Sequence, residues 1–192
     1  MKVTVYCASG AKINEVYFDA AKQLAKELVR LNIDITFGGG AFGLMGTLAD
    51  TVIELGGKIK GIMPKFMNEI EWAHPRVTDF EFTETMHERK EKLRENADAL
   101  IALPGGCGTL EELLEAITLK RLGLFTKPII ILNTNNFYEY LHKMLLKCAD
   151  ENFFSKEHLK MWTFVNQPEE VIPAISSAVV WDEEAIKFAL NK

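Results

Sequence analysis

Two glycine clusters carry the strongest chemical signal in this 192-residue sequence, because they hold eight of its 13 glycines. Five lie within residues 38–46 and three within residues 105–108. A glycine lets backbone N–H groups approach a ligand with no Cβ in the way. Where such a loop leads into a helix, the helix N-terminus adds further donors and a partial positive charge. The two clusters therefore predict binding of a phosphate group.

The first cluster reads Gly-Gly-Gly-Ala-Phe-Gly-Leu-Met-Gly, and its first six residues satisfy the GxGxxG pattern of dinucleotide-binding folds. That pattern also needs an acidic residue about 20 positions further on, which holds the ribose. Residues 58–63 (Lys-Ile-Lys-Gly-Ile-Met) offer no carboxylate, so we exclude a nicotinamide cofactor. A Walker A motif is excluded too, since Leu44 and Met45 follow Gly43 in place of Lys and Ser or Thr. A tight strand-to-helix turn without a ligand remains the alternative.

The second cluster, Pro-Gly-Gly-Cys-Gly-Thr-Leu-Glu-Glu over residues 104–112, combines a glycine turn with two carboxylates. Thr109 stands at a natural helix N-cap, or its hydroxyl binds a phosphate oxygen instead. Glu111 and Glu112 fall in the first helical turn, where the helix dipole alone stabilises carboxylates. A carboxylate beside a phosphate site disfavours anion binding, however. The alternative is that one of the two faces a sugar or a base.

A third, highly charged element spans residues 84–95, with four glutamates and four Arg or Lys residues. Such a pattern is typical of a solvent-exposed helix face with ion pairs between residues three or four apart. Periodicity alone does not distinguish Arg89 from its charged neighbours.

The cysteines and histidines form no recognisable metal or nucleophile motif. Three cysteines are too few and too scattered for a disulfide framework or a CxxC metal site. The four histidines lack metal-ligand or triad spacing. Cys107 lies in the second cluster without a histidine partner evident in sequence, so we expect neither a catalytic thiol nor a metal.

The overall composition indicates the class of protein. The net charge of −5 disfavours nonspecific binding to nucleic acid or anionic membranes, although a local site can still bind a small anion. The longest apolar run has five residues, so no transmembrane helix is predicted. The N-terminus alternates like a strand and lacks the apolar core of a signal peptide. We expect a cytoplasmic domain that binds neither nucleic acid nor membrane.

The elements that must position the glycine loops alternate between strand-like and helical patterns. Strands are predicted over residues 3–6, 33–37, 58–63, 77–82, 99–103 and 128–132, with short extended pieces around 162–165 and 179–181. Helices are predicted over residues 15–31, 44–55, 84–97, 109–122 and 136–150, with more in the C-terminal third.

Two of these strands, 99–103 and 128–132, are apolar on both faces, which is typical of a parallel sheet covered by helices on both sides. There are no repeats, linkers or low-complexity stretches. The pattern therefore predicts a single α/β domain over residues 1–192, a Rossmann-like doubly wound parallel sheet with helices on both faces. Such folds bind ligands beyond the carboxyl ends of the strands, where both glycine clusters lie.

Residues 38–46, 86–90 (Met-His-Glu-Arg-Lys) and 104–112 together resemble the Lonely Guy (LOG) family, the cytokinin riboside 5′-monophosphate phosphoribohydrolases. The similarity extends from the N-terminal strand and Cys7-Ala8-Ser9 to about residue 180. It implies hydrolysis of the N-glycosidic bond of a nucleoside 5′-monophosphate to free base and ribose 5-phosphate. The substrate would be AMP, another monophosphate or an N6-prenylated AMP. The resemblance also implies a homodimer that uses no cofactor.

The resemblance further assigns roles to individual residues. Arg89 and Glu112 match the essential catalytic pair of the family. The positions that match its nucleotide-binding residues are Ser9, Gly39, Gly40, Gly43, Met45, Met86, Lys90, Gly105, Gly106, Gly108 and Thr109. The sequence departs from the family pattern at two positions. Gly10 stands where the family often has a second serine, and Cys107 stands where it often has a bulkier residue. These departures bear on base preference and loop geometry rather than on the type of reaction.

The residue types suit such a reaction. Glycosidic cleavage passes through a positively charged, oxocarbenium-like sugar. A carboxylate such as Glu112 can stabilise that charge, hold a ribose hydroxyl or help to activate water. Arg89 stays charged and cannot act as a base, but it can bind phosphate or sugar, orient Glu112 or stabilise the departing base. The sequence does not choose among these roles.

A non-catalytic carrier of a phosphorylated ligand, such as the molybdenum cofactor, is the main alternative, because similar folds occur in such carriers. A carrier needs the phosphate loops but not Arg89 and Glu112, whose presence favours the enzyme. Lysine decarboxylation has no support, since no lysine stands in a recognisable pyridoxal-phosphate context. Trp72 and His74 would form either one side of the base pocket or an ordinary surface loop.

Overall fold

Strands and helices alternate along residues 1–68 and 72–182, the part of the chain that this computed structural model describes. The strands are β1 (Lys2–Tyr6), β2 (Asp34–Phe37), β3 (Ile59–Pro64), β4 (Asp79–Thr83), β5 (Ala99–Ala102), β6 (Ile129–Leu132) and β7 (Thr163–Val165). The helices are α1 (Glu15–Arg30), α2 (Gly43–Glu54), α3 (Met86–Arg94), α4 (Cys107–Arg121), α5 (Glu139–Asp150) and α6 (Val171–Ser177). Short 3₁₀ segments lie at Lys65–Met67, Thr134–Asn136, Lys156–Met161 and Pro168–Glu170.

The strands form one sheet in the order β4-β3-β2-β1-β5-β6-β7, and every neighbouring pair is parallel. Val3 of β1 lies opposite Ile35 of β2 on one side and opposite Ala99 of β5 on the other. The chain thus winds outward from β1 to β4 and then crosses to the other side of β1. This reversal leaves a crevice beyond the carboxyl ends of β1 and β5, where doubly wound folds bind ligands.

The central strands are buried on both faces because successive side chains point to opposite sides of the sheet. Ala99 and Ile101 of β5 belong to one core, which α1, α2 and α6 cover. Leu100 and Ala102 belong to the other core, which α3, α4 and α5 cover. The predicted α/β fold, a doubly wound parallel sheet with helices on both faces, is confirmed.

Two local predictions are wrong. The N-cap of α4 is Gly106 rather than Thr109, because the extended backbone of Gly106 already starts the helix and leaves Thr109 in its first turn. Residues 179–181 do not extend the sheet. Instead Trp181 is buried and donates its indole N–H to the carbonyl of Lys120 at the end of α4, at 2.8 Å.

The predicted single domain over residues 1–192 includes residues 69–71 and 183–192, which lie outside the described part of the chain. Among the helices of the described ranges, none is long and apolar enough to cross a membrane.

Candidate active site

A cavity of about 420 Å³ opens at the carboxyl ends of β1 and β5, where the chain reverses direction. Residues after β1 form one part of its wall, and Gly38 after β2 forms another. The first turns of α3 and α4 complete it. Both predicted catalytic side chains, Arg89 and Glu112, line this cavity.

Arg89 is the fourth residue of α3. The N-cap of this helix is Thr85, whose side chain accepts a hydrogen bond from the Glu88 amide at 3.1 Å. The guanidinium is only 6% exposed. Its Nε donates to the carbonyl oxygen of Ile62 on β3 at 3.1 Å. Its Nη1 donates to Oε1 of Glu112 and forms an ion pair with it. The sheet and α4 together therefore fix the orientation of Arg89.

Glu112 reaches the same point from α4 and is 7% exposed. Its carboxylate and the Arg89 guanidinium thus form an ion pair that is largely removed from water. Burial and, secondarily, this carboxylate raise the pKa of the Cys7 thiol far above its ordinary value. Cys7 is therefore a neutral part of the wall. A buried pair of this kind is weak evidence for stability but a common feature of reactive sites.

The N-terminus of α4 offers the cavity a set of backbone donors. The first four N–H groups of an α-helix have no acceptor within the helix. In α4 they belong to Gly106, Cys107, Gly108 and Thr109, and all four residues line the cavity. No side chain caps this helix. An anion placed there would meet these donors and the positive end of the helix dipole.

The N-terminus of α2 is arranged differently. The amides of Leu44 and Met45 both donate to the carbonyl oxygen of Ala8, at 2.9 and 3.2 Å. Gly43 has a φ of +61°, and a Cβ there would lie 2.5 Å from the carbonyl carbon of Ser9. The first glycine loop thus packs against the segment that follows β1, and that segment uses two of the α2 donors.

Gly39 and Gly40 of the first loop pair with a neighbouring segment rather than lining the cavity. Gly40 forms an antiparallel bridge with Ala73, and the amide of His74 donates to Gly39 at 3.0 Å. Neither glycine lines the cavity, and neither do Trp72 and His74. These residues therefore hold the first loop in place.

Lys90, the neighbour of Arg89, points away from the cavity wall. Its ammonium pairs with Glu111 and, at 3.4 Å, with Glu115, so its side chain is only 12% exposed. The hydrogen bond that Lys90 donates to Glu111 raises the pKa of Lys90, while partial burial opposes the shift. Glu111 itself lines the cavity. Lys90 thus positions a carboxylate at the cavity rather than forming its wall.

The structure brings most of the predicted site together. The predicted residues that line the cavity are Ser9, Met45, Met86, Arg89, Gly106, Gly108, Thr109 and Glu112. Those that lie behind its wall are Gly39, Gly40, Gly43, Lys90 and Gly105. At Gly105 a Cβ would overlap the Thr109 side chain, so this glycine allows close packing of the second loop.

Several lining residues were not predicted. Tyr6, Ile13 and Met67 all contribute to the wall. The position of Tyr6 at the end of the central strand is a signal that could have identified it, because ligands bind beyond strand ends. Ile13 and Met67 come from irregular segments, and sequence periodicity carries no information about them.

The site offers acid–base and anion-binding groups rather than metal ligands. Within residues 1–68 and 72–182, no group of three or more His, Cys, Asp or Glu side chains is placed to hold a metal ion. The cavity wall, as described, contains no histidine. Its ionisable side chains include a permanently charged guanidinium and two carboxylates. This set can bind an anion and stabilise a positive charge.

Comparisons with known proteins identify the family of this chain. A family model described as "possible lysine decarboxylase" matches residues 45–175. A cytokinin riboside 5′-monophosphate phosphoribohydrolase of Arabidopsis thaliana is 39% identical, over 99% of this chain and 94% of its own length. One from Oryza sativa subsp. japonica is 36% identical, over 95% of this chain and 78% of its own.

Among solved structures, the molybdenum cofactor carrier protein of Chlamydomonas reinhardtii superposes with a TM-score of 0.69 at 20% identity, over 92% of this chain and 96% of that one. At this identity the likeness concerns the fold alone. The phosphoribohydrolases are closer in sequence and match most of the chain. The chain therefore belongs to the LOG family of cytokinin riboside 5′-monophosphate phosphoribohydrolases.

Proposed function

We propose that this protein hydrolyses the N-glycosidic bond of a nucleoside 5′-monophosphate and releases the free base and ribose 5-phosphate. One observation carries the proposal: the buried Arg89–Glu112 pair lines the same cavity as the uncapped amides of α4. Thr109 and Glu112 lie about one helical turn apart, roughly 5 Å along the axis. A ribose 5-phosphate unit spans a comparable length between its phosphate and its glycosidic carbon.

The phosphate is assigned to the N-terminus of α4. Residues 106–109, which carry the first four amides of α4, all line the cavity. The α2 terminus is less suitable, because the Ala8 carbonyl already accepts hydrogen bonds from Leu44 and Met45. Binding energy from the phosphate then positions the bond that breaks, which lies at a distance from it.

The reaction breaks the bond between C1′ of the ribose and a nitrogen of the base. The bonding electrons leave with the base, which takes up a proton, while water adds its oxygen to C1′ and gives up a proton. Positive charge develops on the sugar in the transition state. Glu112 is the carboxylate placed to stabilise that charge or to accept the proton of the attacking water. A positioned acid or base of this kind contributes about 10²–10⁴-fold to a rate.

Arg89 supports this chemistry as a cation. Its guanidinium cannot release a proton, so it does not act as a base. Its hydrogen bond to Ile62 fixes its position, and its pairing with Glu112 holds the carboxylate at the cavity wall. It is also placed to bind the sugar or the departing base.

The substrate class follows from the cavity and the family. The relatives named above act, by name, on cytokinin riboside 5′-monophosphates. The side chains of Ile13, Met45, Met67 and Met86 give the wall an apolar portion that suits a purine ring. We therefore propose AMP and N6-prenylated AMP as substrates, without a cofactor.

We further propose a homodimer that works in the cytoplasm and binds neither nucleic acid nor membrane. Leu114 on α4 is 40% exposed, and Leu122 and Leu124 just beyond the helix are 39% and 72% exposed. Clustered exposed leucines of this kind favour contact with a second copy of the chain. The net charge of −5 disfavours polyanionic partners.

A carrier of a phosphorylated ligand is the second candidate, and the superposition on a molybdenum cofactor carrier favours it only at the level of the fold. A carrier would use the α4 donors but has no need of the Arg89–Glu112 pair. The presence of that pair supports the enzyme.

The experiment is a panel of nucleoside monophosphates, including AMP and N6-isopentenyl-AMP, with the matching nucleosides as controls. Free base and ribose 5-phosphate are followed by chromatography. We expect equal amounts of both products from the monophosphates and far slower release from the nucleosides. Calorimetric binding of AMP without release of base would support the carrier instead. Equal rates for AMP and adenosine would contradict the phosphate site at α4.

A further inference from the structure

Tyr6 has a buried hydroxyl that makes no hydrogen bond within the described residues. It is the last residue of β1, is 2% exposed and lines the cavity. A buried polar group without a partner destabilises a folded protein, and native structures contain few of them. A hydroxyl of this kind at an active site indicates that it gains a hydrogen-bond partner in another state of the site.

The charged groups around this phenol come from the two helices that carry the catalytic pair. They are Glu112 and Glu115 on α4, and Arg89 and Arg94 on α3. Arg94 and Glu115 already pair with each other at 2.6 Å. Of the four groups, Glu112 acts on the phenol most strongly. Burial first, and the Glu112 carboxylate second, raise the pKa of Tyr6 far above its ordinary value, so the phenol stays protonated and can only act as a neutral donor or acceptor.

Glu112 is the acceptor that this donor lacks. In the free protein, Oε1 of Glu112 accepts the Nη1 hydrogen bond of Arg89. An ionised carboxylate accepts about four hydrogen bonds in all, so it can change donors without losing its charge. If Glu112 is to act on the sugar, as the proposed function requires, its carboxylate must turn from Arg89 toward the substrate. A buried carboxylate that gives up one donor is stable only if it gains another.

We propose that Tyr6 is a positioning residue that donates its hydroxyl to Glu112 when the substrate draws this carboxylate away from Arg89. The inference rests on the proposed function. In the free protein the hydroxyl has no hydrogen-bond partner among residues 1–68 and 72–182, and in the substrate complex it holds the carboxylate in its ionised form. The groups that face Glu112 in the free protein include Arg89 and the neutral Cys7.

Tyr6→Phe tests this role, because it removes one oxygen atom and no hydrogen bond that the described part of the chain makes. We expect the melting temperature to stay the same or to rise. We expect kcat to fall about tenfold with KM changed less than about twofold. The acid limb of the kcat–pH profile should move up by about one pH unit, because the ionised form of Glu112 has lost a donor.

Tyr138→Phe is the matched control. Tyr138 is 1% exposed, and its hydroxyl donates to the carbonyl of Leu103 at 2.7 Å, so this variant loses a hydrogen bond that the free protein makes. Tyr138 does not line the cavity. We expect a lower melting temperature and an unchanged acid limb.

The outcomes separate this inference from the proposed function. A Tyr6→Phe enzyme with the wild-type acid limb and a kcat within twofold of wild type overturns the inference and leaves the proposed function intact. A lower melting temperature with an unchanged acid limb shows a packing role and also overturns it. A wild-type protein that releases no base from any monophosphate overturns both.

Discussion

Gly38 lies directly against the guanidinium of Arg89, and a Cβ at this position would overlap Nη2. The same Cβ would lie 3.0 Å from the sulfur of Met45. The first residue of the glycine loop therefore makes room for the Arg89 side chain. This accounts for a glycine-rich loop that lacks the acidic partner of a dinucleotide site and leads into a helix with two of its first amides already hydrogen-bonded to Ala8.

Gly38→Ala should displace the Arg89 guanidinium and with it the Glu112 carboxylate. A misplacement of about 1 Å in such a constellation lowers activity by about 10²-fold. We expect a loss of that size in kcat/KM for AMP, with the fold retained as judged by circular dichroism. Gly10→Ala is the comparison, since a Cβ at Gly10 meets no atom within 4 Å. A Gly38→Ala enzyme no more impaired than Gly10→Ala would contradict the role assigned to Gly38.

Gly108→Ala tests the phosphate site. A Cβ at Gly108 meets nothing within 4 Å, and alanine in a helix is favoured over glycine by about 0.5–1 kcal/mol. We expect unchanged or slightly higher stability but a KM for AMP raised about tenfold, because the methyl group crowds the anion. Gly105→Ala should instead destabilise the fold, since its Cβ would overlap Thr109. Thermal unfolding and steady-state kinetics of both variants make the comparison. An unchanged KM for Gly108→Ala would exclude the phosphate from this helix terminus.

The fold was predictable because its signals are local. β5 and β6 read as apolar on both faces, and the structure buries every residue of both strands. The alternation of strands and helices then defined a doubly wound sheet, and the glycine clusters marked its carboxyl edge. Helix ends were less predictable, as Gly106 in place of Thr109 shows, because several residues near a turn can start the same helix.

The Arg89–Glu112 pair was not predictable from sequence patterns. Arg89 lies on a helix with charged residues on most of its positions, and only contacts with Ile62 and Glu112 distinguish it from Lys90. Those partners lie 27 and 23 positions away in the sequence. The family resemblance supplied Arg89, while the role of Gly38 became visible only once the chain was folded.

The pairing of Arg89 with Glu112 should also affect the free energy of unfolding. Arg89→Met and Glu112→Leu each leave a buried charge without its partner, which destabilises a protein by about 3–5 kcal/mol. The double variant removes both charges, so its free energy of unfolding should fall by far less than the sum of the decreases in the two single variants. Urea unfolding of the three variants and the wild type measures this coupling. Strictly additive losses would show that the two side chains do not depend on each other.

Lys120 should give the protein a pH-dependent stability at alkaline pH. Burial lowers the pKa of this lysine from 10.5 to about 8, and within the described residues no carboxylate pairs with it. Between these two values the unfolded chain binds more protons than the folded one, so the lysine favours folding increasingly as pH rises. The free energy of unfolding of the wild type should therefore rise relative to that of Lys120→Met, by roughly 1 kcal/mol per pH unit. If the difference in free energy of unfolding between the wild type and Lys120→Met stays constant from pH 8 to 10.5, Lys120 is not desolvated in the folded protein.

The most direct test of the central claim is the rate of adenine release from AMP by Glu112→Gln and by Glu115→Gln. Both variants replace one carboxylate of α4, but Glu115 pairs with Lys90 and Arg94 and does not line the cavity. We predict that Glu115→Gln releases adenine within about threefold of the wild-type rate. Glu112→Gln should bind AMP yet release adenine about 10³-fold more slowly. Comparable rates for Glu112→Gln and the wild type would contradict the account.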